Sequence, residues 1–192
     1  MPDDTQHPGR IAFPKLLTDM GLMGKGAEIG VLNGEHALII LNNWAGELLY
    51  AVDPFCEPVS MRDGVEVRPY NLTEKLWRRI RNRAMGKLAA FRPRVKYLEM
   101  PSVLAAKEIE DHALDWVYLD GCHHYEGIMD DIQSWLPKIR KGGVMAGHDY
   151  SGHDPSNAKK NRIEVKIAVD QFFGDIVKSY DSGMIKSWYV LF

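Results

Sequence analysis

Cysteine is scarce in this chain of 192 residues: Cys56 and Cys122 are the two present, and they make no disulfide framework. The default setting is therefore reducing and cytoplasmic. Long hydrophobic runs are missing too. No window is apolar for long enough to span a bilayer, and the acidic, polar opening Met-Pro-Asp-Asp-Thr-Gln does not read as a secretory signal. Neither sign of charge dominates: 24 Lys and Arg face 26 Asp and Glu, a net −2, so no global field draws the chain to nucleic acid or an anionic membrane. The dinucleotide fingerprint G-x-G-x-x-G and the Walker A Lys-Ser/Thr pair are absent, which argues against phosphate cradling. There is no internal repeat, low-complexity tract or domain linker. What is left is an ordinary balance of 45% hydrophobic and 26% charged residues, which predicts one domain with ample core.

Apolar runs at residues 27–32, 47–52, 95–100, 114–119 and 144–146 read as buried strands. Helical patterns lie at 11–20, 35–44, 72–91, 102–109, 125–139 and 163–173. Residues 176–180 and 185–191 fit a terminal antiparallel hairpin, 1–9 a loose arm, and 151–162 a polar loop. In the 72–91 segment, Leu72, Leu76, Ile80, Ala84 and Leu88 form a stripe at i, i+4, with Asn71 or Thr73 as its cap. Lys141-Gly142-Gly143 reads as the C-cap of the 125–139 helix. Five alternations of strand and helix predict an α/β fold, a mostly parallel sheet with helices on both faces.

Chemistry gathers where strands are predicted to end. In open α/β sheets the carboxyl edge of the strands binds ligands. Glu28, Gly30 and Gly34 make the pattern E-x-G-x-x-x-G at the first strand-to-helix turn, where glycines permit a tight turn and close approach of a ligand. Asp53 ends the second strand, placed to accept hydrogen bonds from ribose hydroxyls. Ser102 follows the third strand, placed as an N-cap. Asp120 and His123 follow the fourth, His148 and Asp149 the fifth. These support two chemistries. Asp120, His148 and Asp149 could ligate a divalent metal that acidifies a substrate hydroxyl. His123 or His148 could instead act as general base, because imidazole titrates near neutrality. The plain alternative is solvated loop histidines, which suits His124 and His153. Lys75, Arg78, Arg79, Arg81, Arg83 and Lys87 crowd one helix; a solvated outer face is the simpler reading, docking of an anionic partner the other.

The first-turn pattern resembles motif one of S-adenosylmethionine-dependent methyltransferases. The later residues are more specific. Asp120-Gly121-Cys122-His123-His124-Tyr125, Asp131, Trp135, Gly142-Gly143 and His148-Asp149-Tyr150 resemble small class I methyltransferases of the Methyltransf_24-like group, related to macrolide sugar O-methyltransferases and cephalosporin hydroxylase-like proteins. The resemblance implies a Rossmann-like, seven-stranded sheet with one antiparallel strand, S-adenosylmethionine held by Glu28, Gly30, Gly34, Asp53, Ser102 and Asp120, and O-methylation of a small-molecule or sugar hydroxyl. In metal-dependent relatives the Mg²⁺ positions fall on Asp120, His148 and Asp149, and the base on His123. An oxygen ligand is usual at His148, which leaves that residue as ligand or base. Competing expectations are a non-catalytic Rossmann-like module that docks an anionic partner, and a methyltransferase acting on nucleic acid. So small a domain also invites a second subunit, in a homo-oligomer, to complete the acceptor pocket.

Overall fold

Residues 8–57, 60–62, 65–67, 71–151, 164–180 and 186–192 are described by the computed structural model of the chain. Residues 1–7 of the expected 1–9 arm, most of the 151–162 loop, His7 and His153 lie outside these residues; residues 8 and 9 are not arm but the opening of a helix.

Helix α1 (Pro8–Asp19) precedes β1 (Lys25–Ile29), α2 (Glu35–Asn43) and β2 (Leu48–Val52). A short antiparallel pair, β3 (Ser60–Arg62) and β4 (Val65–Val67), leads to α3 (Glu74–Leu88), β5 (Val95–Leu98) and α4 (Ser102–Lys107). Next come β6 (Leu114–Leu119), α5 (Tyr125–Trp135), β7 (Ile139–Gly147), α6 (Val165–Phe173), β8 (Lys178–Tyr180) and β9 (Ser187–Leu191). The main sheet has seven strands in the order β5-β2-β1-β6-β7-β9-β8. β9 runs antiparallel to both its neighbours, and the other pairings are parallel. The expected sheet, reversed strand and closing hairpin are all present. Chain order reverses between β1 and β6, the switch point where α/β sheets bind ligands.

Helices cover both faces, so the central strands are apolar on both sides, as in β6, where all six residues are buried. One core gathers Phe13, Leu17, Ile40, Trp44, Trp77, Trp116 and Tyr118 beneath α1, α2 and α3; the other gathers Val117, Ile132, Trp135, Met145, Val169 and Trp188 beneath α4, α5 and α6.

Several local expectations are corrected. The strand expected over 27–32 ends at Ile29, because residues 30–34 form the turn into α2. Lys141-Gly142-Gly143 is not a helix cap. Pro137, unable to donate within a continuing helix, sits in a 3-10 turn at residues 136–138, and β7 begins at Ile139. Gly142, at φ 80°, instead bends β7, where the register with β6 shifts between Leu114 and Trp116. The α3 stripe is Trp77, Ile80, Ala84 and Leu88, and Leu76 is 39% exposed. Thr73 stands at the N-cap of α3 but makes no side-chain capping bond. Ser102 is the first residue of α4, behind an N-cap of Pro101. The β3–β4 pair was not anticipated; Val65-Glu66-Val67 is too short an alternation to signal it.

Candidate active site

Strand register sets the geometry of the edge. Ile29 pairs with both Val52 and Leu119, Val52 with Leu98, and Leu119 with Gly147. The next residue of each of four strands therefore stands in one row: Asp53, Gly30, Asp120 and His148, at the inter-strand spacing of about 4.8 Å. Their N–H groups continue the ladder. Gly30 donates to Val52 O at 2.9 Å, Asp120 to Ile29 O at 2.9 Å, and His148 to Leu119 O at 3.2 Å.

Gly30 has φ 92°, and a Cβ there would lie 2.3 Å from the backbone oxygen of Asp120. Only glycine lets β1 turn this close to the β6 exit. Gly34 opens α2 at φ 75°. Asp53 ties the turn down: Leu32 N–H donates to its Oδ2 at 2.8 Å and Phe55 N–H to its Oδ1 at 2.7 Å. Burial raises the Asp53 carboxyl above its ordinary pKa, and these amide bonds oppose the shift. Glu28 lies lower, 1% exposed, with Oε1 at 3.1 Å from His36 Nδ1. His36 is packed among Phe13 and Tyr118 rings, and burial, aided by the Arg10 charge, lowers its pKa to about 3. At neutral pH the ring is uncharged, so the Glu28–His36 contact is a hydrogen bond from Nδ1–H.

At the other end of the row, Asp149 adopts φ 57°, a left-handed conformation that Asp tolerates. This brings its carboxylate between two imidazoles. His123 Nε2 lies 3.0 Å from Oδ2, and His148 Nδ1 lies 3.4 Å from Oδ1. Asp149 is held well below the ordinary carboxylate pKa: burial opposes this, but the hydrogen bonds and charges of the two histidines outweigh it. Burial lowers the His123 pKa, but the Asp149 bond and the two carboxylate charges outweigh it, and the net direction is upward. The 120–125 loop is held from across by Glu164, whose N–H donates to His123 O at 2.8 Å and whose carboxylate accepts from Tyr125 N–H at 3.0 Å.

The residue that sequence reasoning missed is Arg10. Its guanidinium forms a buried ion pair with Asp120, the two side chains being 9% and 8% exposed. The signal was present: Arg10 stands at i relative to Phe13 at i+3 and Leu17 at i+7, on the face that α1 buries.

A family model described as a methyltransferase domain, Methyltransf_24, matches residues 27–150. The chain belongs to this methyltransferase family. Solved structures with the same fold include the O-methyltransferase TomG of Streptomyces achromogenes in complex with SAM (13% identity, 96% of this chain and 79% of that one, TM-score 0.63). An O-methyltransferase of Bacillus cereus in complex with SAH aligns at 13% identity over 100% of this chain and 83% of that one, TM-score 0.62. A Staphylococcus aureus protein, provisionally described as a caffeoyl-CoA O-methyltransferase, aligns at 9% identity over 95% and 82%, TM-score 0.67. Protein y4gI of Sinorhizobium fredii is 36% identical over 45 residues, which is 23% of this chain and 5% of that protein's length.

Among the described residues of this methyltransferase, Asp120, His123 and Asp149 bring three donors whose ligating atoms lie within 4.8 Å of one another. His148, expected as a ligand, is not in the trio. The donors are the right types for a divalent ion, but the two carboxylates are already engaged. Arg10 holds Asp120, and Asp149 lies between two imidazoles. A dication at the trio would share the Asp120 carboxylate with the Arg10 guanidinium, and the two like charges would oppose each other.

Ser102 stands apart from the row. Trp135 Nε1–H donates to its Oγ at 2.7 Å, and Ser102 also hydrogen-bonds Asp131, whose carboxyl burial raises to about pKa 6. A small cavity beside the row is lined by Leu119, Asp120, His123, Asp131, His148 and Asp149, among others. On the outer face of α3, Arg78 pairs with Glu74 at 2.8 Å, Arg81 with Glu99 and Lys87 with Glu35. Much of the basic helix is therefore internally balanced.

Proposed function

We propose that this domain transfers a methyl group from S-adenosylmethionine to a hydroxyl of a small molecule or sugar, with no metal in the step. The observation that carries the reading is the row itself: a glycine turn braced by Asp53 stands level with a paired acid and base at the β6 and β7 exits. The turn suits a cofactor without phosphates, for it carries no cation and no phosphate-binding pattern. Gly30 and Gly34 would let the cofactor approach the backbone, and Asp53 would accept from the ribose hydroxyls. Glu28, buried on His36, would shape this end from beneath. Ser102, engaged by Trp135 and Asp131, would border the adenine through its helix turn. TomG and the Bacillus cereus protein are named O-methyltransferases and hold SAM or SAH, which favours oxygen as the acceptor.

When bound, the cofactor supplies a methyl group on a cationic sulfonium. The chain's task is to present a deprotonated oxygen to it. His123 Nε2 faces Asp149, so the other ring nitrogen of His123 takes the acceptor's hydroxyl proton. Asp149 fixes the ring and stabilises the imidazolium that forms. His148, 5% exposed, steadies Asp149 from the opposite side and serves as a positioning residue.

Calorimetric titration with S-adenosylmethionine tests the reading: a stoichiometry of one is expected with or without Mg²⁺. No binding at millimolar cofactor, in either condition, sinks it. The paired cations of α3 weigh against docking of a polyanion and against nucleic acid as acceptor. Both cysteines are free thiols, in keeping with a reducing, cytoplasmic setting. Among the described residues no helix is long and apolar enough to cross a membrane.

A further inference from the structure

The buried face of α1 reads Arg10, Phe13, Leu17, and its first member is a guanidinium. Phe13 and Leu17 are 0% exposed; Phe13 packs on Trp116 and Tyr118, centroids 5.2 and 4.7 Å away. That packing fixes the helix axially. One turn earlier the same face reaches the end of β6, where Arg10 meets Asp120. A buried guanidinium or a buried carboxylate alone is costly, and each is tolerated here because of the other. Burial raises the Asp120 carboxyl above its ordinary pKa on balance, and the Arg10 charge is the foremost influence opposing that rise. The family match begins at residue 27, so α1 and Arg10 lie outside the matched segment.

We propose that Arg10 is the resident cation of the active site, holding Asp120 in the place where the resemblance expects a divalent ion. The inference rests on the methyl-transfer reading. The arginine is a positioning residue: it fixes the Asp120 carboxylate and supplies a permanent positive charge beside the reacting oxygen. In the step itself the carbon–sulfur bond of the sulfonium breaks as a carbon–oxygen bond forms. The hydroxyl proton passes to His123, the sulfur leaves as a neutral thioether, and Arg10 and Asp120 keep their charges. No further reactant is needed. A divalent ion then competes with Arg10, because the guanidinium keeps its charge and repels a second cation on the same carboxylate.

The test is a Mn²⁺ titration of the EDTA-stripped full chain, followed by the paramagnetic resonance of the free ion, on the wild type and on Arg10→Met, which keeps most of the apolar stem. The wild type should leave Mn²⁺ free up to about 1 mM, the weak end of protein sites. Arg10→Met should bind one ion at least about tenfold more tightly, since a like charge no longer faces it, and adding Asp120→Asn should abolish that gain. Tight Mn²⁺ binding by the wild type, lost in Asp120→Asn, overturns the proposal, as does a folded Arg10→Met that gains no affinity. If Arg10→Met does not fold, the wild-type titration and its Asp120→Asn control still decide. S-adenosylmethionine titrated into the same wild-type sample keeps the two ideas apart. Failure to bind it sinks the methyltransferase reading, while the Mn²⁺ result alone judges Arg10.

Discussion

At the β1–β2 end of the edge, Asp53 gives both carboxylate oxygens to backbone N–H groups, whereas at the β6–β7 end Asp120 and Asp149 face an arginine and two histidines. The two ends use the same residue type for different work. Backbone amides around Asp53 make a rigid, hydrogen-bonded bracket that braces the turn. Side-chain ions around Asp120 and Asp149 make a dense field in which protons and charges can shift. Preorganised charge is worth most where charge develops during reaction. The comparison therefore predicts that damage at the Asp53 end appears in cofactor affinity and folding, and damage at the Asp149 end in turnover.

The largest expected effect breaks the charged end. His123→Ala should lower turnover by about 10²–10⁴-fold, the usual worth of a general base, and leave S-adenosylmethionine affinity within about twofold. Labelled-cofactor assays over a panel of hydroxylated acceptors measure the first, calorimetry the second. Unchanged turnover in the variant refutes the base assignment.

Beneath the charged end, His36 offers a second test through stability. Its folded pKa of about 3 lies below the unfolded value of 6.5. The unfolded chain therefore takes the proton first, and the contribution is complete above pH 6.5 and lost as pH falls toward 3. Urea unfolding of the wild type should weaken with falling pH more steeply than that of His36→Gln, the difference in slope approaching about 1.4 kcal/mol per pH unit between roughly pH 5.5 and 4. Parallel slopes would show that the ring is not held neutral, and that Arg10 and its neighbours do not govern it.

The charged end was legible in part. The runs at 114–119 and 144–146 end in Asp120 and His148, and strict period-two or apolar runs identify buried strands well. Their neighbours in space were not so readable. Register alone decides that Asp53, Gly30, Asp120 and His148 stand level, and register is a property of the assembled sheet. Arg10 was hidden for a different reason. An arginine at the start of an amphipathic stripe is ordinarily a solvated end, and it becomes an active-site ion only because β6 ends beneath it. Gly142-Gly143 misled because the same dipeptide serves a helix cap and a bent strand; Pro137, five residues before Gly142, was the better evidence for where α5 stops.

At the Asp53 end, Asp53→Ala strips the acceptors from Leu32 N–H and Phe55 N–H. A destabilisation of about 2 kcal/mol is expected for two partly buried donors left unmatched, together with roughly tenfold weaker S-adenosylmethionine binding from lost ribose bonds. Thermal unfolding and calorimetry give both numbers. If stability falls while cofactor affinity holds, Asp53 braces the turn and nothing more, and its ribose-binding role is refuted.

The smallest effect is expected away from both ends. Arg79 and Arg83 lie exposed on α3, beside Arg81, which Glu99 holds. Reversing both to Glu should change stability by less than about 0.5 kcal/mol, as for most surface substitutions, and leave cofactor affinity and turnover on small acceptors unaltered. A salt-dependent loss of activity in the double variant would mean that the acceptor is an anion tracked by α3. The active edge would then extend well beyond the row of strand ends, and the contrast between its two halves would no longer describe how substrate is held.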